Sequence, residues 1–121
     1  MGNKIILNFG ATKVPVALND SQTARAFYDA LPCKVRVSNS SGLDYCGPMP
    51  VELPWDEGQV HHGWRNGAVN YNPHGGWLAV LFGGEEVSAA YGDQVDMGSV
   101  EGDLSVFDGL GPSYELVVER A

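Results

Sequence analysis

Residues 70–85, with the sequence NYNPHGGWLAVLFGGE, decide how the rest of this chain folds. The apolar run 77–82 is bounded by glycines on both sides, which is typical of a strand that is buried on both faces. Pro73 fixes its own φ and the Gly-Gly pair after it tolerates positive φ, so a turn precedes the run. Residues 66–71 lead into this turn. The pattern therefore predicts a β-hairpin at the centre of a small closed β structure.

The length and composition of the chain indicate one domain with many turns. It has 121 residues, of which 44% are hydrophobic, and this is enough apolar material for one ordinary core. We therefore expect a single domain over residues 1–121. The sixteen glycines and seven prolines favour a β-rich architecture over a helical bundle.

The charge of the chain excludes some classes of partner. Fifteen acidic and seven basic side chains give a formal net charge of −8. Such a surface repels phosphate backbones and anionic lipids, so we expect neither nucleic acid nor a membrane as a partner. No apolar stretch is long enough for a signal peptide or a membrane span, and we expect a cytoplasmic protein.

Periodic patterns predict the remaining elements. A capping Asn-Asp-Ser run precedes a helix over residues 21–31, and Pro32 ends it. A second short helix is predicted within residues 101–110, while residues 47–66 form a long irregular loop. Strand-like alternation occurs in residues 4–9, 12–18, 33–37, 43–46, 94–100 and 113–119. About eight strands and two short helices fit a mainly β fold, a closed β-barrel capped by helices.

One hairpin prediction concerns the position of a possible functional arginine. Residues 33–37 alternate apolar and polar side chains, and the polar residues 39–42 then form a four-residue loop before the next strand. With this loop, Arg36 points outwards and lies across from Tyr45.

Several segments resemble a family of small prokaryotic cyclophilin-like domains. The segment 20–32, DSQTARAFYDALP, is similar to the family's N-x-T-A-R-A-…-L-P helix. A Pro-rich segment at 48–54 and strands at 66–71 (NGAVNY) and 76–82 (GWLAVLF) follow in the family's order. The resemblance covers residues 4–119 and implies a closed cyclophilin-like β-barrel. It implies no activity, because this chain lacks the Phe-Met-x-Gln-Gly-Gly-Asp run of true cyclophilins.

The candidate ligand-binding residues are one arginine and four aromatic residues: Arg36, Tyr45, Trp64, Tyr71 and Trp77. Aromatic side chains along one side of a barrel can hold an extended peptide or a small apolar ligand. Packing in the core is the alternative explanation for these aromatic residues. We interpret the protein as a binding or interaction module for a peptide or small molecule of unknown identity.

Prolyl cis–trans isomerisation is the alternative from the enzyme class. The resemblance places Arg36 on the strand where true cyclophilins carry the arginine that polarises a prolyl amide. A guanidinium beside the amide weakens the resonance that creates the isomerisation barrier. The other interpretation is a surface arginine that pairs with Asp44 or stacks on Tyr45.

Three histidines suggest a further alternative, metal binding. Adjacent residues of an extended strand point to opposite faces, so His61 and His62 do not share one ion easily. A site would need one of them together with His74 and a carboxylate such as Glu52 or Asp56. Solvated loop histidines are the other explanation, and we predict no cofactor.

The two cysteines are too few for a disulfide scaffold and lack Cys-x-x-Cys spacing. We expect Cys33 and Cys46 to be buried, reduced thiols on neighbouring strands. A nucleophilic Cys46 beside a loop histidine is the alternative.

Overall fold

In the computed structural model, which describes residues 2–121, nine antiparallel strands form one sheet and eight of them close into a barrel. The order around the barrel is β2, β1, β9, β3, β4, β7, β6 and β8, and pairing of β8 with β2 completes the ring. The ninth strand, β5, pairs with β8 outside this ring. The prediction of a closed barrel of about eight strands is confirmed. The strands are β1 (Lys4–Phe9), β2 (Thr12–Leu18), β3 (Cys33–Ser40), β4 (Asp44–Pro48), β5 (Val60–His61), β6 (Ala68–Asn72), β7 (Trp77–Leu81), β8 (Gln94–Val100) and β9 (Ser113–Arg120).

Apolar side chains fill the inside of the barrel. The alternation of each strand directs one set of residues inwards, and the interior of an eight-stranded barrel is narrow enough for such side chains to fill it. A ligand must therefore bind to the outer wall or at an end of the barrel. The inward residues include Ile5, Leu7, Phe9, Val14, Val16, Val35, Leu78, Val80, Met97 and Leu116, all almost completely buried.

The first predicted helix is confirmed as α1 (Gln22–Asp29). The Ser21 hydroxyl accepts a hydrogen bond from the backbone N–H of Ala24 at 3.1 Å and so caps the first turn. Phe27 is buried in the core, so α1 covers the barrel end at which β2 finishes. The peptide bond between Leu31 and Pro32 is cis.

The second predicted helix is a 3₁₀-helix, Leu104–Phe107. The Asp103 carboxylate caps it by accepting from the N–H of Ser105 at 2.9 Å. Phe107 packs edge-on against Phe9, with ring centroids 5.8 Å apart. Because Phe9 lies at the tight turn between β1 and β2, this helix and α1 cover opposite ends of the barrel.

The central hairpin forms as predicted from β6 and β7, with Val69 opposite Val80. Residues 78–81 are buried on both faces, because the inward side chains join the core and the outward Ala79 and Leu81 are covered by Trp64. Trp77 was expected in the same buried run, but it is 42% exposed. It is the first residue of β7 and points outwards beside Gly75 of the turn, which leaves a large part of its indole in contact with solvent.

The predicted register of the β3–β4 hairpin is wrong. Strand β3 continues to Ser40, and the loop contains only residues 41–43. Tyr45 consequently pairs with Asn39, while Arg36 lies opposite Glu115 on β9. Tyr45 points into the core and Arg36 points outwards, so the two side chains are on opposite faces of the sheet.

The loop predicted over residues 47–66 is mostly irregular but contains two short elements. A 3₁₀-helix, Glu57–Gln59, leads directly into β5, and Trp55 and Trp64 are both half-buried. A further 3₁₀-helix, Glu85–Ala90, lies between β7 and β8. No helix within residues 2–121 is both long enough and apolar enough to cross a membrane.

We predict that Gly98→Ala destabilises the barrel where it closes. A Cβ atom at this position would lie 2.4 Å from the carbonyl oxygen of Ala17 on β2, so the two backbones must separate. We expect a loss of about 2 kcal/mol in the free energy of unfolding, measured by urea denaturation. Gly58→Ala is the matched control, because its Cβ would meet no atom within 4 Å. Equal stability of the two variants would contradict this explanation.

Candidate functional site

A groove of about 650 Å³ lies on the outer wall of the barrel, where β2, β8 and β6 meet. Ser99 on β8 has Ala17 of β2 on one side and Ala68 of β6 on the other. Residues that face each other across a sheet project to the same side, so these three side chains form a row. All three are small, and they make a low floor between higher walls. We call this feature the outer groove.

Trp64 forms one wall of the outer groove. Its indole Nε1 donates to the carbonyl oxygen of Gly83 at 2.8 Å, and its backbone N–H donates to the Ser88 hydroxyl at 2.9 Å. The Ser88 hydroxyl donates in turn to the carbonyl oxygen of Glu85 at 2.8 Å. The indole is therefore held at two points and packs on Ala68 at the edge of the floor.

His61 and Asp96 form the opposite wall. The Nε2 atom of His61 lies 2.9 Å from Asp96 Oδ1, and its Nδ1 atom lies 3.2 Å from the carbonyl oxygen of His62. Partial burial alone would lower the pKa of His61, but these two acceptors more than offset it and raise the pKa above its ordinary value. Because both ring nitrogens face acceptors, His61 is suited to be a cation and not a general base for a bound ligand.

The other two histidines share one carboxylate. His62 Nε2 lies 3.1 Å from Asp93 Oδ1, and His74 Nε2 lies 2.8 Å from Asp93 Oδ2. The predicted partners Glu52 and Asp56 are not involved. In the described part of the chain, no group of three or more His, Cys, Asp or Glu residues is arranged to hold a metal ion. These contacts instead fasten the loop and the central hairpin to the start of β8.

A second cavity, of about 410 Å³, lies between residues 48–53 and the turn of the central hairpin. Its lining includes Trp55, Tyr71 and His74, and the rings of Trp55 and His74 meet edge-on at 5.5 Å. The Tyr71 hydroxyl accepts a hydrogen bond from the backbone N–H of Leu53 at 3.3 Å. We call this cavity the hairpin pocket.

The five predicted ligand-binding residues do not share one surface. Trp64 lines the outer groove, and Tyr71 lines the hairpin pocket. Trp77 is exposed at the start of β7, Tyr45 is buried inside the barrel, and Arg36 is exposed on β3 and lines neither cavity. The aromatic set is therefore divided between the core and two separate cavities.

The two proposed surface partners of Arg36 are not found. Within the part of the chain that is described, its guanidinium forms neither an ion pair with Asp44 nor a stack on Tyr45. Tyr45 uses its hydroxyl to donate to the carbonyl oxygen of Gly111 at 2.6 Å, and its ring packs 5.1 Å from that of Phe9.

Sequence reasoning missed the floor of the outer groove and both histidine-paired aspartates. The alternation within residues 12–18 and 94–100 does place Ala17 and Ser99 on the outer face. It gives no signal that their strands are neighbours, because β2 and β8 are far apart in the sequence. Asp93 and Asp96 are ordinary acidic residues until the register places them beside histidines.

Cys46 lies on the outer wall of β4, two residues after Asp44. Both thiols of the chain are free and lie on neighbouring strands, as expected, but each is half-buried where a buried thiol was expected. Burial raises the pKa of Cys33, and burial together with the Asp44 carboxylate raises the pKa of Cys46 to about 11. Cys46 therefore stays protonated at neutral pH, which argues against its role as a nucleophile.

Comparison with known proteins identifies relatives in sequence and in fold. The sequence matches the cyclophilin-like family over residues 7–119. The solution structure of a hypothetical protein from Archaeoglobus fulgidus superimposes with a TM-score of 0.76, at 21% identity, over 99% of this chain and 95% of that chain. At this identity the likeness concerns the fold alone. No curated protein sequence matches the chain.

We predict that Asp44→Asn stabilises the protein at neutral pH. Burial raises the pKa of the Asp44 carboxyl from 3.8 to about 6, although a hydrogen bond with Cys46 acts in the opposite direction. The folded state therefore binds this proton more tightly, and stability falls as pH rises from about 4 to 6. Because the carboxylate is partly screened by solvent, we expect a gain of about 1 kcal/mol at pH 7. Urea denaturation of the wild type and the variant at pH 4 and pH 7 measures this gain. An equal gain at the two pH values would contradict the raised pKa of Asp44 as its cause.

Proposed function

This chain belongs to the cyclophilin-like family, and from that premise we propose that it is a binding module that holds a small molecule or short peptide in the outer groove. The single observation that supports the proposal is the row of small outward side chains between two fixed walls. Large outward side chains at Ala17, Ala68 and Ser99 would fill this space.

The properties of the outer groove suit a ligand. Its volume of about 650 Å³ lies in the range of small-molecule sites. The Trp64 indole provides an aromatic surface, and the opposite wall provides the carboxylate of Asp96, whose Oδ1 is bonded to His61. A mostly apolar surface with a few fixed polar groups is typical of ligand sites.

Other positions on the molecule suit a ligand less well. The interior of the barrel is filled by side chains and leaves no room. The hairpin pocket is smaller, at about 410 Å³, and its buried Tyr71 hydroxyl already accepts the N–H of Leu53. Of the candidate ligand-binding residues, Trp64 is therefore the one on which we base the proposal.

We predict that Ser99→Trp blocks the outer groove and abolishes ligand binding. An NMR fragment screen on the wild-type protein is expected to shift the Trp64 indole signal and the amides of Ala17 and Ala68. The indole introduced at position 99 would occupy the floor, and we expect these shifts to fall at least tenfold for each hit. Ser38→Trp is the matched control, because Ser38 is an equally exposed strand serine on the distant β3.

Two outcomes of the screen would contradict the proposal. If no fragment shifts groove residues in the wild type, or if Ser99→Trp folds and binds the same hits equally well, the outer groove is not the binding site. The dispersion of the amide spectrum shows whether each tryptophan variant keeps the barrel.

Prolyl isomerisation through Arg36 stays a second candidate, because its guanidinium is exposed and has no ion pair within the described residues. If Arg36 weakens the prolyl amide, the wild type accelerates isomerisation of a proline-containing peptide in a protease-coupled assay. Arg36→Ala should then lower that rate at least tenfold, in proportion to the loss of a charged hydrogen bond. Equal rates for wild type, variant and buffer would remove this candidate.

A further inference from the structure

The charged side chains of the outer groove differ in whether they already have a partner. His61, His62, Arg65 and Asp96 line the groove. His61 is bonded to Asp96, and His62 is bonded to Asp93 just outside the groove. Each of these two aspartates therefore already has an imidazole as a hydrogen-bond partner.

Arg65 has no such partner. Its side chain forms no ion pair and no hydrogen bond with any residue in the described range 2–121. The Glu85 carboxylate accepts a hydrogen bond from the backbone N–H of Asn66, the residue after Arg65, at 2.7 Å. It nevertheless forms no ion pair with the Arg65 guanidinium within the described residues. Arg65 is therefore a charged side chain of the groove that has no partner within residues 2–121 and is free to bind a ligand.

The other basic side chains of the molecule differ from Arg65 either in having a partner or in lying outside the groove. The formal net charge is −8, and the three lysines each have a carboxylate within 4 Å. Arg120 lies over the ring of Tyr28, with 4.8 Å from its guanidinium carbon to the ring centroid. Of the three arginines left without a partner among the described residues, Arg65 lines the groove, whereas Arg25 and Arg36 line neither cavity.

On the basis of the binding function proposed above, we propose that the ligand of the outer groove carries a carboxylate that binds Arg65. A guanidinium offers two parallel N–H groups that match the two oxygens of a carboxylate. The flat, apolar part of the ligand lies on the floor of Ala17 and Ala68 and against the indole of Trp64. A protonated His61 offsets the negative charge of Asp96 on the facing wall, so Asp96 then repels the ligand carboxylate less.

The carboxylate has two possible sources, a free organic acid or the C-terminus of a peptide, and the experiment separates them. The small-molecule probes are 2-naphthoate and its neutral match 2-naphthamide. The peptide probes are acetyl-Ala-Phe with a free carboxylate and the same dipeptide as its amide. Each is titrated into the full-length protein, with the Trp64 indole and Ser99 amide signals followed by NMR.

We expect at least one acid to bind about tenfold more tightly than its amide, which is the effect of a hydrogen bond to a charged group. Arg65→Gln should remove this preference by lowering the affinity of the acid to about that of its amide. Arg25→Gln is the control, because Arg25 is an exposed arginine of α1 outside the groove. If the larger preference for the acid is found with 2-naphthoate, the carboxylate comes from a free organic acid. If it is found with the dipeptide, the carboxylate is a peptide C-terminus.

The outcomes that contradict the inference differ from those that contradict the binding function. Acid and amide that bind the groove equally well, or an acid preference that survives Arg65→Gln, would overturn the carboxylate assignment and leave the groove as a binding site. If none of the four probes shifts the groove signals, the carboxylate assignment is also overturned. The fragment screen with Ser99→Trp then decides separately whether the groove binds a ligand.

Discussion

The pairing of β2 with β8 is the constraint on which the rest of the structure depends. It joins residues eighty or more positions apart and removes the open edges that an unclosed sheet would expose. Gly98 makes it possible, because the carbonyl oxygen of Ala17 occupies the space that a Cβ atom would need. The same register sets Ala17 beside Ser99, so closing the barrel also creates the floor of the outer groove.

A filled interior directs any binding function to the outside of this barrel. Larger barrels enclose a chamber, whereas eight strands make an interior that side chains can fill, as the buried apolar residues do here. The walls of the outer groove come from loop residues such as Trp64, which rise above a floor of regular strands. The scaffold and the binding surface are therefore built from different parts of the chain, so loop residues can change without disturbing the core.

The contacts between histidines and aspartates hold the irregular loop in one position. His61 is bonded to Asp96, and His62 and His74 share Asp93, so both the loop and the central hairpin are joined to β8. Half-exposed ion pairs contribute little stability individually. The hydrogen bonds and packing of Trp64 are the stronger restraint. Because these contacts already hold the loop in place, less conformational entropy is lost when a ligand binds.

The sequence by itself determined the class of fold, the first helix and the central hairpin. Alternating patterns and glycine-bounded runs depend on local geometry, which is why the Ser21 cap and the burial of residues 78–81 could be predicted. Tertiary structure alone decided the site. The register error at Tyr45 arose because loop length sets which residues face each other, and a polar run does not show where its strand ends. The groove floor unites Ala17, Ala68 and Ser99 from three distant segments, and small outward residues show no sign of their neighbours until the barrel closes.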